Sequence, residues 1–120
     1  MGAAGEDGLK TDSNRRNMLY IMYNEDRPDA QALRAATRET HLAYLERHKN
    51  IVVLSGGTLA EDGSRTGSVF IINVPGREAA EKFSAEEPFR KAGLFQTVKI
   101  TRMRRGQWNP EAAPKTAEGN

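Results

Sequence analysis

The chain contains no cysteine among its 120 residues. That excludes disulfides, thiolate catalysis and cysteine-ligated metal, and it fits a reducing compartment. No apolar run approaches the roughly 20 residues needed to span a bilayer, and the first residues lack the apolar stretch of a secretory signal. Met1-Gly2 resembles a myristoylation start only superficially, since Glu6 stands where Ser or Thr is required. Excess charge is also scarce: 18 Lys and Arg face 16 Asp and Glu, a net +2. Only Arg102, Arg104 and Arg105 cluster, so the basic charge is not gathered on one face as nucleic-acid binding requires. A cytoplasmic protein is expected, with neither nucleic acid nor membrane as partner.

Histidine is rare, with His41 and His48 the whole complement. Seven residues apart, they share a helical face, but no third ligand stands at useful spacing, and no metal site is expected. Gly56-Gly57 is no phosphate loop: no helix follows and no Lys-Ser or Lys-Thr pair is in place. Paired glycines there suit close approach of a ligand or of the neighbouring strand.

What is present is one small domain between polar ends. Residues 1–17 and 109–120 read as flexible tails, and 18–108 as the domain. The polar ends pull the mean hydropathy down to −0.68. Met18 to Tyr23 predicts a strand apolar on both faces, and Asp29 to about His48 a long helix begun by Pro28-Asp29. Ile51 to Leu54 predicts a second strand, again buried on both faces and broken by Ser55-Gly56-Gly57-Thr58. Gly67 to Val74 is the third and most apolar strand, and Asp62-Gly63 marks the turn before it. A helix over Arg77–Ala85 follows, then a short one opened by Pro88 and ended by Gly93, then a strand over Leu94–Met103. The order β-α-β-β-α-β is the split βαβ, or ferredoxin-like, arrangement: an α+β fold with a four-stranded antiparallel sheet and its helices on one face. The other sheet face would stay bare. A second copy packed sheet to sheet is the expected cover, at roughly 800 Å² per partner.

The informative stretch lies in the long helix. At helical period Ala30, Leu33, Thr37, His41, Tyr44, Leu45 and His48 share one side, flanked by Arg34 and Arg38, while Glu39, Glu46 and Lys49 point away. His41 therefore sits in the stripe that must pack on something, either as a satisfied core histidine or as a functional imidazole. Arg38, three residues before it, can hold an anionic oxygen, or merely pair with Glu39 or Glu86 on the surface. Ser68 can donate into the same cleft or serve the strand alone. Tyr44 is placed in the core with its hydroxyl reaching the cleft. Glu87, taken by itself, reads as the cap of the short helix that Pro88 opens.

Six pieces in this order resemble the YciI-like family of the dimeric α/β-barrel superfamily. They are Met18-Leu19-Tyr20-Ile21, Arg38-Glu39-Thr40-His41-Leu42, Leu54-Ser55-Gly56-Gly57, Thr66-Gly67-Ser68-Val69-Phe70-Ile71, Glu86-Glu87-Pro88-Phe89 and Ala92-Gly93-Leu94-Phe95. The resemblance implies a catalytic pair of the helix histidine, His41, with an Asp before the Pro-aromatic step. That Asp is Glu87 here. Two further departures are Gly56-Gly57 in place of Gly-Pro and Arg102-Met103 in place of a Pro-aromatic step in the last strand. One branch of the family resembles enzymes that remove chloride from chlorinated hydroxyhydroquinones.

The expectation is a cofactor-independent enzyme, a lyase or isomerase moving protons on a small aromatic or quinone-like substrate, with dehydrochlorination the most concrete version. His41 would be the general base, Glu87 its orienting partner, and Arg38, Ser68, Tyr44 and Gly56 would line the substrate. The alternative is a dimeric binding module without turnover. A heme- or oxygen-handling enzyme is disfavoured, because nothing besides His41 provides for a porphyrin.

Overall fold

A computed structural model describes residues 17–119. The N-terminal tail expected over 1–17 lies outside them, apart from Asn17. The elements are β1 (Met18–Asp26), α1 (Gln31–Arg47), β2 (Val52–Leu59), β3 (Arg65–Val74), α2 (Arg77–Glu86), α3 (Pro88–Lys91) and β4 (Phe95–Met103). One antiparallel sheet runs β2-β3-β1-β4, with the two apolar strands β3 and β1 at its centre. This is the ferredoxin-like α+β fold that the element order predicts.

Alternation sorts the strands. Tyr20 and Met22 of β1 and Phe70, Ile72 and Val74 of β3 point to the helix side and are buried with Tyr44, Ala80 and Phe83. Fully burying side chains of this size contributes about 1.5–3 kcal/mol each. A second small cluster joins Ala30, Phe89 and Leu94. It holds the one-turn helix α3 against the start of α1. Gly93, at φ +81°, ends α3 in the left-handed region, where a side chain would be strained. The Leu94 N–H then returns to the Phe89 carbonyl, and the Arg27 N–H closes onto the Leu94 carbonyl. The end of β1, α3 and the start of β4 are thereby fixed to one another.

Three expectations change. The helix starts at Gln31 rather than Asp29; Asp29 stands at φ +56° in a turn, and Ala30 caps the helix without a side-chain bond. Ser55-Gly56-Gly57-Thr58 does not break β2, which runs on through both glycines to Leu59. An edge strand tolerates them because one ladder, to β3, holds it. Nor is β2 buried on both faces: Val53 is 41% and Leu54 57% exposed. Leu54 pairs in register with Ile71 and shares the bare sheet face with it. Tyr23 of β1 lies on that face too, 47% exposed. Among the described residues nothing covers it. Beyond β4 the chain makes one short 3-10 turn at Pro110–Ala112 and stays exposed.

Candidate active site

Helix α1 carries two stripes at once. Its core stripe buries Arg34, His41 and Tyr44, continued by the capping Ala30. A second row, Arg34, Arg38, His41 and Leu45, spaced at four, three and four residues, forms one wall of a cleft of about 360 Å³. His41 is where the two rows cross. Strand β2 contributes Ser55, Gly56 and Gly57 to the facing wall, β3 contributes Arg65, Ser68 and Phe70, and α3 contributes Phe89.

His41 Nδ1 lies 2.5 Å from Glu87 Oε2, with the carboxylate side chain 1% and the imidazole 11% exposed. The imidazole stacks on Phe89, centroids 4.0 Å apart and planes 15° from parallel. The Phe70 ring lies tilted to it, with centroids 5.9 Å apart. The second oxygen of Glu87 accepts from the Arg90 N–H at 3.2 Å, as an N-cap of α3. The cap reading and the pairing with His41 therefore both describe Glu87, one for each oxygen. Such a carboxylate holds the histidine as the Nδ1–H tautomer and leaves the Nε2 lone pair as the free basic position. Among the described residues no side chain partners Nε2.

Arg34 makes the second buried ion pair. Its Nε and Nη2 donate to the two oxygens of Asp26 at 3.0 and 2.8 Å, a two-point clamp with side chains 10% and 9% exposed. Nη2 also donates to Ser68 Oγ at 3.3 Å, and the guanidinium lies 4.6 Å from the Phe89 centroid. Phe89 is thus held by His41 and Arg34 together.

The expected site residues separate as follows. His41, Arg38, Ser68 and Gly56 all line the cleft, and Glu87 lies behind His41. Tyr44 does not belong with them. Its hydroxyl donates to the Phe83 carbonyl at 2.9 Å, inside the core and away from the cleft. Burial first, then the Glu86 and Glu87 carboxylates, push its phenol up to about 12. Arg38 pairs with neither Glu39 nor Glu86: the ion pairs of the described residues are Arg34–Asp26, His41–Glu87, Lys49–Glu46 and Arg77–Glu81. Sequence reasoning gave no site role to Arg34, Asp26, Arg65 or Phe89. Position on the helix could have found Arg34, four residues before Arg38 on the same row. Phe89 is the aromatic of the Pro-aromatic step in the family resemblance, and nothing local marks Asp26 or Arg65. Among the described residues no group of three or more His, Cys, Asp or Glu could hold a metal ion, and no helix is long and apolar enough to cross a membrane.

Fold and site together define a ferredoxin-like α+β domain with an imidazole–carboxylate pair at the wall of a small cleft. More closely, the chain belongs to the YCII-related family, whose domain matches residues 18–104. Protein YciI of Escherichia coli O6:H1 (strain CFT073) is 30% identical over 91 residues, 69% of this chain and 93% of that protein. An uncharacterized protein of Haemophilus influenzae is 30% identical over 89 residues, 68% of this chain and 91% of its own. Among solved structures, 5-chloro-2-hydroxyhydroquinone dehydrochlorinase (TftG) from Burkholderia phenoliruptrix AC1100, in complex with 2,5-dihydroxybenzoquinone, superposes with TM-score 0.69 at 34% identity. The match covers 74% of this chain and 96% of that one. A structure from Bacteroides thetaiotaomicron VPI-5482, TM-score 0.51 at 11% identity, covers 77% of this chain and 91% of its own and shows the fold alone.

Proposed function

We propose that the cleft is the active site of a cofactor-independent acid–base enzyme acting on a hydroxylated aromatic or quinone-like ring, most concretely a lyase that eliminates HCl from a chlorinated hydroxyhydroquinone. The observation that carries this is the contact of His41 Nδ1 with Glu87 Oε2 at 2.5 Å, at the wall of an open cleft. The likeness to the dehydrochlorinase supports the choice of reaction.

The chemistry follows from the groups present. Glu87 fixes the tautomer, so Nε2 of His41 is the base. One ring hydroxyl gives up its proton, which is delivered to the carbon that bears chlorine. That ring position becomes a ketone beside an sp³ carbon. Nε2 takes the proton of a second hydroxyl. Its electron pair forms the second carbonyl, the ring double bond shifts, and the C–Cl bond breaks with its pair leaving as chloride. The product is a hydroxybenzoquinone, and its two oxidising equivalents are balanced by the departing chloride, so no separate electron acceptor is required. Arg38 holds the ring oxygen on which negative charge develops. Ser68, whose oxygen accepts from Arg34, keeps its own proton to donate to a ring oxygen. A second copy packed on the bare sheet face, around Leu54, Ile71 and Tyr23, completes the proposed homodimer.

A binding module without turnover is the alternative, favoured by one observation: a cleft lined with arginine would hold an anion whether or not His41 moves a proton. The deciding experiment incubates the protein with chlorinated and unchlorinated hydroxyquinols and follows chloride and absorbance, with His41→Ala alongside. Chloride release that falls at least about 100-fold in a folded variant is expected. Absence of turnover in a folded wild-type protein overturns the elimination and leaves the binding module.

A further inference from the structure

Arg65 opens β3, opposite Leu59 of β2 in the ladder. Its side chain lies across Gly57 and into the cleft wall. A Cβ at position 57 would stand 2.5 Å from Arg65 Nε and 2.7 Å from its Cδ and Cζ, so this path exists only because residue 57 is glycine. Three guanidiniums thus face the cleft that holds His41: Arg34, Arg38 and Arg65. Asp26 neutralises Arg34 by its two-point clamp. Neither Arg38 nor Arg65 has a carboxylate partner among the described residues. Partial burial, then the neighbouring Arg34 and, more weakly, Arg38, hold Arg65 below the ordinary guanidinium value against the opposing pull of Asp26. An anion placed between them would relieve that repulsion. The cleft, about 360 Å³, is near the lower end of ligand sites, roughly 300–1,000 Å³. It suits one ring with its substituents rather than a polycycle.

We propose that Arg65, laid across Gly57, forms with Arg38 an anion subsite, so that the ligand of this cleft is a single ring carrying, besides the oxygen presented to His41, a second ionised oxygen group, either a carboxylate or a ring oxide. This deepens the reading above and rests on it for the location of the site, but not for turnover. Arg65 is a substrate-positioning residue, and Gly57 acts through it.

The test is equilibrium binding by calorimetry on the full chain, which reads the subsite without any reaction. The probes are hydroquinone, neutral; 2,5-dihydroxybenzoate, ionised through a carboxylate; and 2,5-dihydroxybenzoquinone, ionised through ring hydroxyls. At least one of the ionised rings should bind at least about tenfold tighter than hydroquinone, and which of them does so identifies the anionic group. Arg65→Gln should abolish that preference, and Arg65→Lys should restore part of it. Gly57→Ala, which leaves both arginines in the chain, should weaken the ionised ring in the same direction by displacing the Arg65 arm. Equal affinities for all three rings, binding of none of them, or a preference that survives Arg65→Gln each overturns the subsite. A chain that discriminates as expected yet releases no chloride sinks the elimination and leaves the subsite standing.

Discussion

The substitution Glu87→Gln separates the two duties of one buried carboxylate. In the wild type, Oε2 faces His41 Nδ1 at 2.5 Å and Oε1 accepts from the Arg90 N–H at 3.2 Å. Both partners are donors when His41 carries its proton on Nδ1. Glutamine has the same length and nearly the same volume, so it opens no cavity, but it has a single acceptor oxygen. If that oxygen serves Arg90, the amide NH₂ faces Nδ1, and the imidazole must switch to the Nε2–H tautomer, which cannot act as base toward the cleft. If the oxygen serves His41, the cap of α3 is lost, at a cost of about 1 kcal/mol. An unsatisfied buried donor costs about 1–3 kcal/mol in either arrangement. With a urea m-value of about 1–2 kcal/mol/M for a domain this small, the unfolding midpoint should fall by about 1 M while the protein remains folded in buffer. Activity should fall further, by about 10²–10⁴, the contribution of a positioned acid–base group. Paired measurements of chloride release and urea denaturation on the same preparation check both numbers. Turnover within a few-fold of wild type in a folded Glu87→Gln protein would refute the assignment of Glu87 as the orienting partner. Glu87→Ala, which removes both bonds at once, should cost about 2–4 kcal/mol and cannot make the distinction alone.

Removing Arg34 by Arg34→Ala strands Asp26, whose side chain is 9% exposed, and should cost about 3–5 kcal/mol by chemical denaturation; a cost below about 1 kcal/mol would contradict the buried clamp. Gly67→Ala places a Cβ 2.0 Å from the Asn24 backbone carbonyl, so β1 and β3 must part beside Ser68, and unfolding should be easier by about 3 kcal/mol. Tyr44 ionises near 12, above the usual phenol value of about 10. Its folded pKa is raised, so its contribution to stability is complete below about pH 10 and is lost as pH rises toward 12; an ultraviolet titration should show a late phenol step, and Tyr44→Phe should remove it. Leu54→Asp, on the bare sheet face, should convert a dimer to a monomer in sedimentation, and a wild-type protein that sediments as a monomer would overturn the proposed pairing.

The long helix was legible because its signal is local. Seven residues at helical spacing mark the core side of α1, and the buried positions of that helix fall among them, with Arg34 added from the flank. The strand β2 was legible only in part. Its first residues are apolar, but Gly56 and Gly57 carry no strand signal of their own; the ladder to β3 holds them extended. Tyr44 shows the limit of a helical wheel. It shares a side with His41, yet the two differ by three residues and lean to different sides of the stripe. That suffices to send the hydroxyl to Phe83 and the imidazole to the cleft. No spacing rule joins His41 to Glu87, 46 residues on; that pairing came from the family resemblance, because contact between α1 and a one-turn helix is a tertiary fact.

The same reasoning explains why the arginines of the cleft could not be ranked from sequence. Arg34 and Arg38 are one turn apart on one helix, and composition treats them alike. What distinguishes them is Asp26, at the end of β1, where the register with β4 shifts between Glu25 and Asp26. Asp26 continues the alternation of Tyr20, Met22 and Asn24 toward the helix side of β1, and there its carboxylate clamps Arg34. One positive charge is thereby cancelled and committed to holding Phe89 and Ser68, while Arg38 has no carboxylate partner among the described residues. Gly57 acts in the opposite sense. By lacking a Cβ it admits Arg65 from the neighbouring strand and adds a charge that no motif in the chain announces. A carboxylate at the end of β1 and a missing methyl group on β2, neither of them in contact with the imidazole, thus decide how much positive charge it faces across the cleft.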